Sequence, residues 1–245
     1  SARVTPKPAN PDPIKPSATA LSTPAHSTVR PDRPTASHTA PEPPRKPKTP
    51  PADPAMQVPP DLDRAQELIK TGRFAQALSI IQRSVLTGSP DGQRLMGDAY
   101  AQGWGVPKDY LRASQWYEKS AASGNTLAMI RVGLLFEQGW GVPQDYLRAR
   151  QWFEKSSAAA NPLAMVRIGD LYERGWGVPK DYTQALLWYE KSAARGNALA
   201  MLRLGNLYQR GWGVPRDMDR ARQWFRKSAE AGNINARERM DALPY

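Results

Sequence analysis

The stretch GWGVPKDY at residues 103–110 returns as GWGVPQDY at 139, as GWGVPKDY at 175 and as GWGVPRDM at 211, so the chain repeats itself every 36 residues. All eight tryptophans obey this period: Trp104, Trp140, Trp176 and Trp212 form one column, and Trp116, Trp152, Trp188 and Trp224 form another. A unit of this size cannot bury its own apolar faces, so successive units must stack into a quasi-linear array with a shared core. That requirement excludes most globular topologies before any single residue is considered.

Within each unit the signals are helical. Asn125, Asn161 and Asn197 stand where an N-cap is needed, and Pro162 follows one of them at the first helical position. Helix A then runs through AMIRVGLLFEQ and its counterparts, with Ala128, Val132, Leu135 and Phe136 on one face. Gly139, Gly175 and Gly211 are expected to end it. Asp109, Asp145, Asp181 and Asp217 are placed to cap a helix B, which Gly124, Gly196 and Gly232 close; Ala160 replaces that glycine once. Gly97, Gly133, Gly169 and Gly205 fall inside helix A, at a cost of roughly 1 kcal/mol each against alanine. Their recurrence points to a close helix crossing. The reading is an all-α fold, an α/α solenoid of about four repeats at 89–232. A tetratricopeptide-like helical hairpin at 61–88 precedes them and a C-terminal capping helix at 233–245 follows.

Residues 1–60 are of another kind. They hold 17 of the 24 prolines and no aromatic residue, a composition that predicts a disordered proline-rich linker. The chain starts at Ser1 rather than methionine, which suits a mature protein whose first segment has been removed; a long tether of this type fits a periplasmic or envelope-tethered location. No run of 18 apolar residues is present, so no membrane span is expected.

The pattern of Ala, Leu or Val with Gly, an aromatic, G-x-G-V, Asp, Ala, W-[YF] and Lys resembles the Sel-one-like repeat (SLR) family, relatives of the tetratricopeptide repeats. The resemblance implies an α/α superhelix that scaffolds protein complexes, often in bacterial envelopes or signalling, and it implies no enzymatic activity. One branch of the family pairs cysteines within each repeat; this chain has no cysteine and stands outside that branch.

Chemistry-bearing residues are few. Both histidines, His26 and His38, lie in the proline-rich segment, so residues 61–245 lack the commonest general base and metal ligand. No nucleophile elbow, nucleotide-binding loop or histidine-based metal motif occurs, and the GWGVP glycines end a helix rather than follow a strand. Glu118, Glu154 and Glu190 each precede a lysine and read as a solvated face. Neither an enzyme nor a cofactor is expected.

Two columns remain as candidate partner-binding residues. Arg131, Arg167 and Arg203 recur at one position of helix A, and Arg174 and Arg210 lie seven residues beyond two of them on the same face. By analogy with tetratricopeptide units that face lines a concave groove, where arginine forks would hold carboxylates or phosphates. The competing account is internal pairing, of Arg167 with Asp170 and of Asp170 with Arg174, with Glu137 or Glu173 nearby. The loop column Trp104, Trp140, Trp176 and Trp212 either packs on neighbouring loops or offers a stripe to a partner. The second tryptophan column, in helix B, reads as inter-repeat core.

The net charge of +11 favours an acidic partner. The expected function is therefore a scaffold that binds an acidic protein or peptide in a basic groove. An anionic envelope polymer, peptidoglycan or an acidic polysaccharide, is the alternative. Nucleic acid ranks third, because apolar residues such as Met129, Met165 and Met201 surround each arginine where an RNA-reading repeat would carry polar code residues.

Overall fold

The computed structural model describes residues 61–242; the proline-rich linker at 1–60, with both histidines, and the last three residues of the capping segment lie outside the described residues. Eleven helices occur in this part: α1 (Leu62–Lys70), α2 (Phe74–Leu86), α3 (Pro90–Gln102), α4 (Tyr110–Ala122), α5 (Thr126–Gln138), α6 (Tyr146–Ala158), α7 (Pro162–Arg174), α8 (Tyr182–Ala193), α9 (Ala198–Arg210), α10 (Met218–Glu230) and α11 (Ile234–Asp241). Each packs mainly on its neighbours in sequence, which makes this part an α-solenoid. The repeats are the hairpins α3–α4, α5–α6, α7–α8 and α9–α10.

Local chemistry sets the helix ends. Asn125 and Asn197 accept the N–H three residues on, and Asn161 that of Leu163; Asp109, Asp145, Asp181 and Asp217 do the same for the helix-B starts. Each side chain satisfies a donor that the helix leaves open. Ala160 keeps the left-handed geometry of the glycines it replaces, with φ at 65°. That conformation costs an L-residue roughly 1–2 kcal/mol.

The mid-helix glycines have the role their recurrence suggested. A Cβ on Gly97 or Gly169 would stand 2.5 Å from the ring of Tyr117 or Tyr189, and one on Gly133 or Gly205 would collide with Phe153 or Phe225. These four rings are fully buried or nearly so and lock helix B against helix A. The largest core side chains are therefore the residues just after the helix-B tryptophans. Trp116, Trp152, Trp188 and Trp224 themselves are half-buried at the core margin, each with a lysine ammonium over its ring at 4.1–5.3 Å. They pack there against core clusters that include residues of a neighbouring unit, so the inter-repeat packing expected of them is made from the margin, while the tyrosine and phenylalanine rings fill the space that each glycine opens.

A second lock lies at the other end of the hairpin. Ser120, Ser156, Ser192 and Ser228 are fully buried, and each donates to the carbonyl of the first residue of its own helix A, at 2.6–2.9 Å. Burial of the hydroxyl is tolerable because the bond is made.

Candidate functional site: the helix-A arginines and the loop tryptophans

The loop tryptophans pack within the solenoid. Trp140, Trp176 and Trp212 stack on Tyr110, Tyr146 and Tyr182 of the preceding repeat, with centroids 4.9–5.2 Å apart. Trp104 lies parallel to Phe74 at 6.3 Å, extending the column onto the hairpin before the first repeat. The glycine after each tryptophan makes this approach possible. Gly141 has φ +70°, and a Cβ there would stand 2.6 Å from the backbone carbon of Tyr110. Three of the tryptophans are half-buried; Trp140 keeps 46% of its surface exposed.

Arg174 and Arg210 join the loop-tryptophan column. Their guanidinium carbons lie 4.4 Å from the ring centres of Trp176 and Trp212. At the corresponding position before Trp140 the chain has Gln138, which donates to Glu137 instead. Two of the five candidate arginines are thus brought against two of the four candidate tryptophans. A cation on an indole face is worth about 0.5–1 kcal/mol where exposed.

The remaining three arginines sit on successive helices A, and the internal pairs that form are not the ones anticipated within α7. The Nε of Arg131 lies 3.1 Å from Asp98, and that of Arg203 lies 3.1 Å from Asp170; in both cases the acid belongs to the preceding repeat. Asp170 pairs with neither Arg167 nor Arg174.

Both acids carry a further ligand that sequence reasoning missed. The hydroxyl of Tyr117 donates to Asp98 at 2.7 Å; that of Tyr189 lies 2.8 Å from Asp170 and 2.7 Å from Glu173 and shares its single hydrogen between the two carboxylates. Arg94 adds an ion pair to Asp98 at 2.7 Å. Burial, then the neighbouring carboxylates, push both phenols far above the usual tyrosine range, so they stay protonated as donors. The signal was available: Asp and Tyr occur together in repeats one and three and are both absent from repeats two and four.

Arg167 stands apart. Among the described residues no carboxylate lies within ion-pair distance of it, and its Nε is buried without a hydrogen-bond acceptor. It does attract Glu137, which is 5% exposed; burial raises the pKa of that carboxyl, and Arg167 opposes the rise. No group of three or more acidic, histidine or cysteine side chains able to hold a metal occurs among the described residues, and no helix there is long and apolar enough to cross a membrane.

Comparison with known proteins places these features in a family. The model of the Sel1 repeat matches residues 90–125, 126–161, 162–197 and 198–233, four consecutive units covering more than half of the chain. A search of curated proteins found no match. Among solved structures, a Sel1 repeat protein from Oxalobacter formigenes is 30% identical, with a TM-score of 0.66 over 74% of either chain. Immunity protein Pa5087 from Pseudomonas aeruginosa is 23% identical, with a TM-score of 0.54 over 77% of this chain and 70% of its own; it shares the fold. Sel1 repeat proteins are generally protein-interaction scaffolds without catalytic function. With four matched units in an unbroken run, this chain belongs to the Sel1 repeat family.

Proposed function

We propose that this chain is a protein-binding scaffold whose helix-A face takes an acidic segment of a partner protein. The observation that carries the reading is the recurrence of Arg131, Arg167 and Arg203 at one register of α5, α7 and α9, all three partly exposed. Their spacing sets positive charge at repeat intervals along one helix register, a field suited to an acidic segment even though Arg131 and Arg203 also hold Asp98 and Asp170. The basic balance of the whole chain supports an acidic partner. A proline-rich stretch ahead of the solenoid supports a tethered, envelope-associated setting, which cell fractionation would test.

The test uses the full chain as bait, beside a variant carrying Arg131→Gln, Arg167→Gln and Arg203→Gln. Glutamine leaves Asp98 with Arg94 and Tyr117, so helicity should persist. Proteins that bind the natural chain and are lost by the variant support the reading, and equal capture by both baits sinks it. Retention on insoluble peptidoglycan, abolished by raising salt, would favour an envelope polymer as the ligand.

A further inference from the structure

Repetition propagates any residue, so the informative positions are those where the repeat breaks. Residues 98, 134, 170 and 206 read Asp, Leu, Asp, Asn, and residues 117, 153, 189 and 225 read Tyr, Phe, Tyr, Phe. In repeats one and three the two columns meet as a carboxylate held by a tyrosine hydroxyl. That carboxylate then receives the arginine thirty-three residues later, Arg131 on Asp98 and Arg203 on Asp170. Thirty-three residues before Arg167 stands Leu134, and the ring behind it is Phe153. Carboxylate and hydroxyl are both missing from this slot, yet the arginine has been kept; the last slot, Asn206 with Phe225 and Arg239, lacks both as well, but Arg239 is exposed whereas Arg167 is half-buried.

The retained guanidinium is poorly served by what surrounds it. Its Nε is buried with no acceptor. The Nε of Arg203 also lacks an aligned acceptor, but Arg203 has the Asp170 carboxylate beside it at 3.1 Å. Glu137 attracts Arg167 without reaching ion-pair distance, and its Oε1 already accepts from the amide of Gln138 at 3.0 Å. A partly buried cation without a contacting anion is an expensive arrangement. A carboxylate arriving from outside would relieve it, and Asp98 and Asp170 show what such a group looks like when seated.

We propose that Arg167 anchors one aspartate or glutamate side chain of a partner protein, which settles over Leu134 in the place that Asp98 and Asp170 fill for Arg131 and Arg203. This rests on the helix-A face being the partner surface and narrows it to one residue. The half-buried Leu134 adds an apolar floor, so the matching partner segment carries an apolar side chain next to its acid. Arg131 and Arg203, already occupied, contribute background charge rather than a seat.

The experiment is selection of a random-peptide display library on the full chain, followed by affinity measurements with the enriched synthetic peptide. Three variants are compared: Arg167→Gln; Leu134→Asp with Phe153→Tyr, which builds the missing internal acid and hydroxyl and closes the slot; and Arg226→Gln, an exposed helix-B control. The expected result is enrichment of peptides with Asp or Glu beside an apolar residue. Affinity should fall about tenfold or more in the first two variants, as for loss of a charge-assisted hydrogen bond, and stay unchanged in the third.

Binding that survives both slot variants, but is lost in the triple arginine variant, overturns the single anchor and leaves the helix-A reading standing. Binding insensitive to the triple variant, or no acidic enrichment at all, overturns both. Arg167-dependent binding of an acidic polysaccharide in place of any peptide overturns the assignment to a protein side chain. Circular dichroism checks each variant, and Arg167→Gln alone carries the test should the double substitution fail to fold.

Discussion

Tyr189 shows how much one side chain can hold at this repeat boundary. Its one hydroxyl hydrogen is shared between Asp170 and Glu173, and Asp170 in turn holds Arg203 of the next repeat. Changing Tyr189→Phe keeps the ring that fills the space beside Gly169 and removes only the donor. Two carboxylates, one of them buried, then lose a partner, and stability should fall by about 1–3 kcal/mol in urea titration. The same change is already natural at Phe153 and Phe225, where the facing residues are Leu134 and Asn206 rather than an acid. Glu137 offers a test with the opposite sign. Its folded pKa is raised above the unfolded value, chiefly by burial. The folded state therefore holds the proton more tightly, and the carboxylate form is a penalty at neutral pH. That penalty disappears as pH falls through the folded pKa toward the unfolded value near 4.5. Glu137→Gln should raise Tm at pH 7, and the gain should vanish below about pH 4, as calorimetry across that range would show.

The hairpin is the unit in which packing is decided, and glycine against ring is its critical contact. Gly133→Ala would improve helix propensity by roughly 1 kcal/mol. The added methyl would collide with the fully buried ring of Phe153, which has no free space to enter. Overpacking of this kind costs about 1–3 kcal/mol, so the net change should be destabilising, with a lower urea midpoint and an unchanged slope. An unchanged or higher midpoint would mean that α5 and α6 can separate without loss, and the close crossing would lose its explanation. The loop works by the same logic. Gly141 brings the chain onto the backbone of Tyr110, and that approach seats Trp140 over the tyrosine ring. The first puzzle of the sequence, a tryptophan in every turn, is answered by contacts between neighbours: the indole is the mortar between one loop and the helix B before it.

For the whole array, stability is a chain of nearest-neighbour interfaces. The hairpin α1–α2 closes one end: Ala65 and Ile81 form a cluster with Leu95 and Met96 of α3, and Phe74 faces Trp104. Deleting residues 61–88 should expose that face of α3 and lower Tm by roughly 5 °C or more. Hydrogen exchange should show the loss concentrated in α3 and α4, with α9 and α10 nearly unchanged. Uniform loss of protection along all four repeats would contradict a nearest-neighbour array.

The period, the helices, their caps and the all-α solenoid were legible in the sequence because each depends on residues close together in the chain. Asparagine and aspartate cap the helix that follows them, and a glycine every 36 residues forecast a close crossing without any knowledge of its partner. The candidate site was legible only as a set of columns. Which arginine meets which acid depends on how far one repeat is offset from the next, and the pairing that forms skips thirty-three residues and crosses a boundary. The same offset carried Arg174 and Arg210 onto tryptophan rings and left Arg167 facing a leucine register. Local chemistry determined what the elements are. The stacking offset decided which charges are paired inside the molecule and which, like Arg167, have no carboxylate in contact, because ion pairing acts over a few ångströms of space and takes no account of distance along the chain.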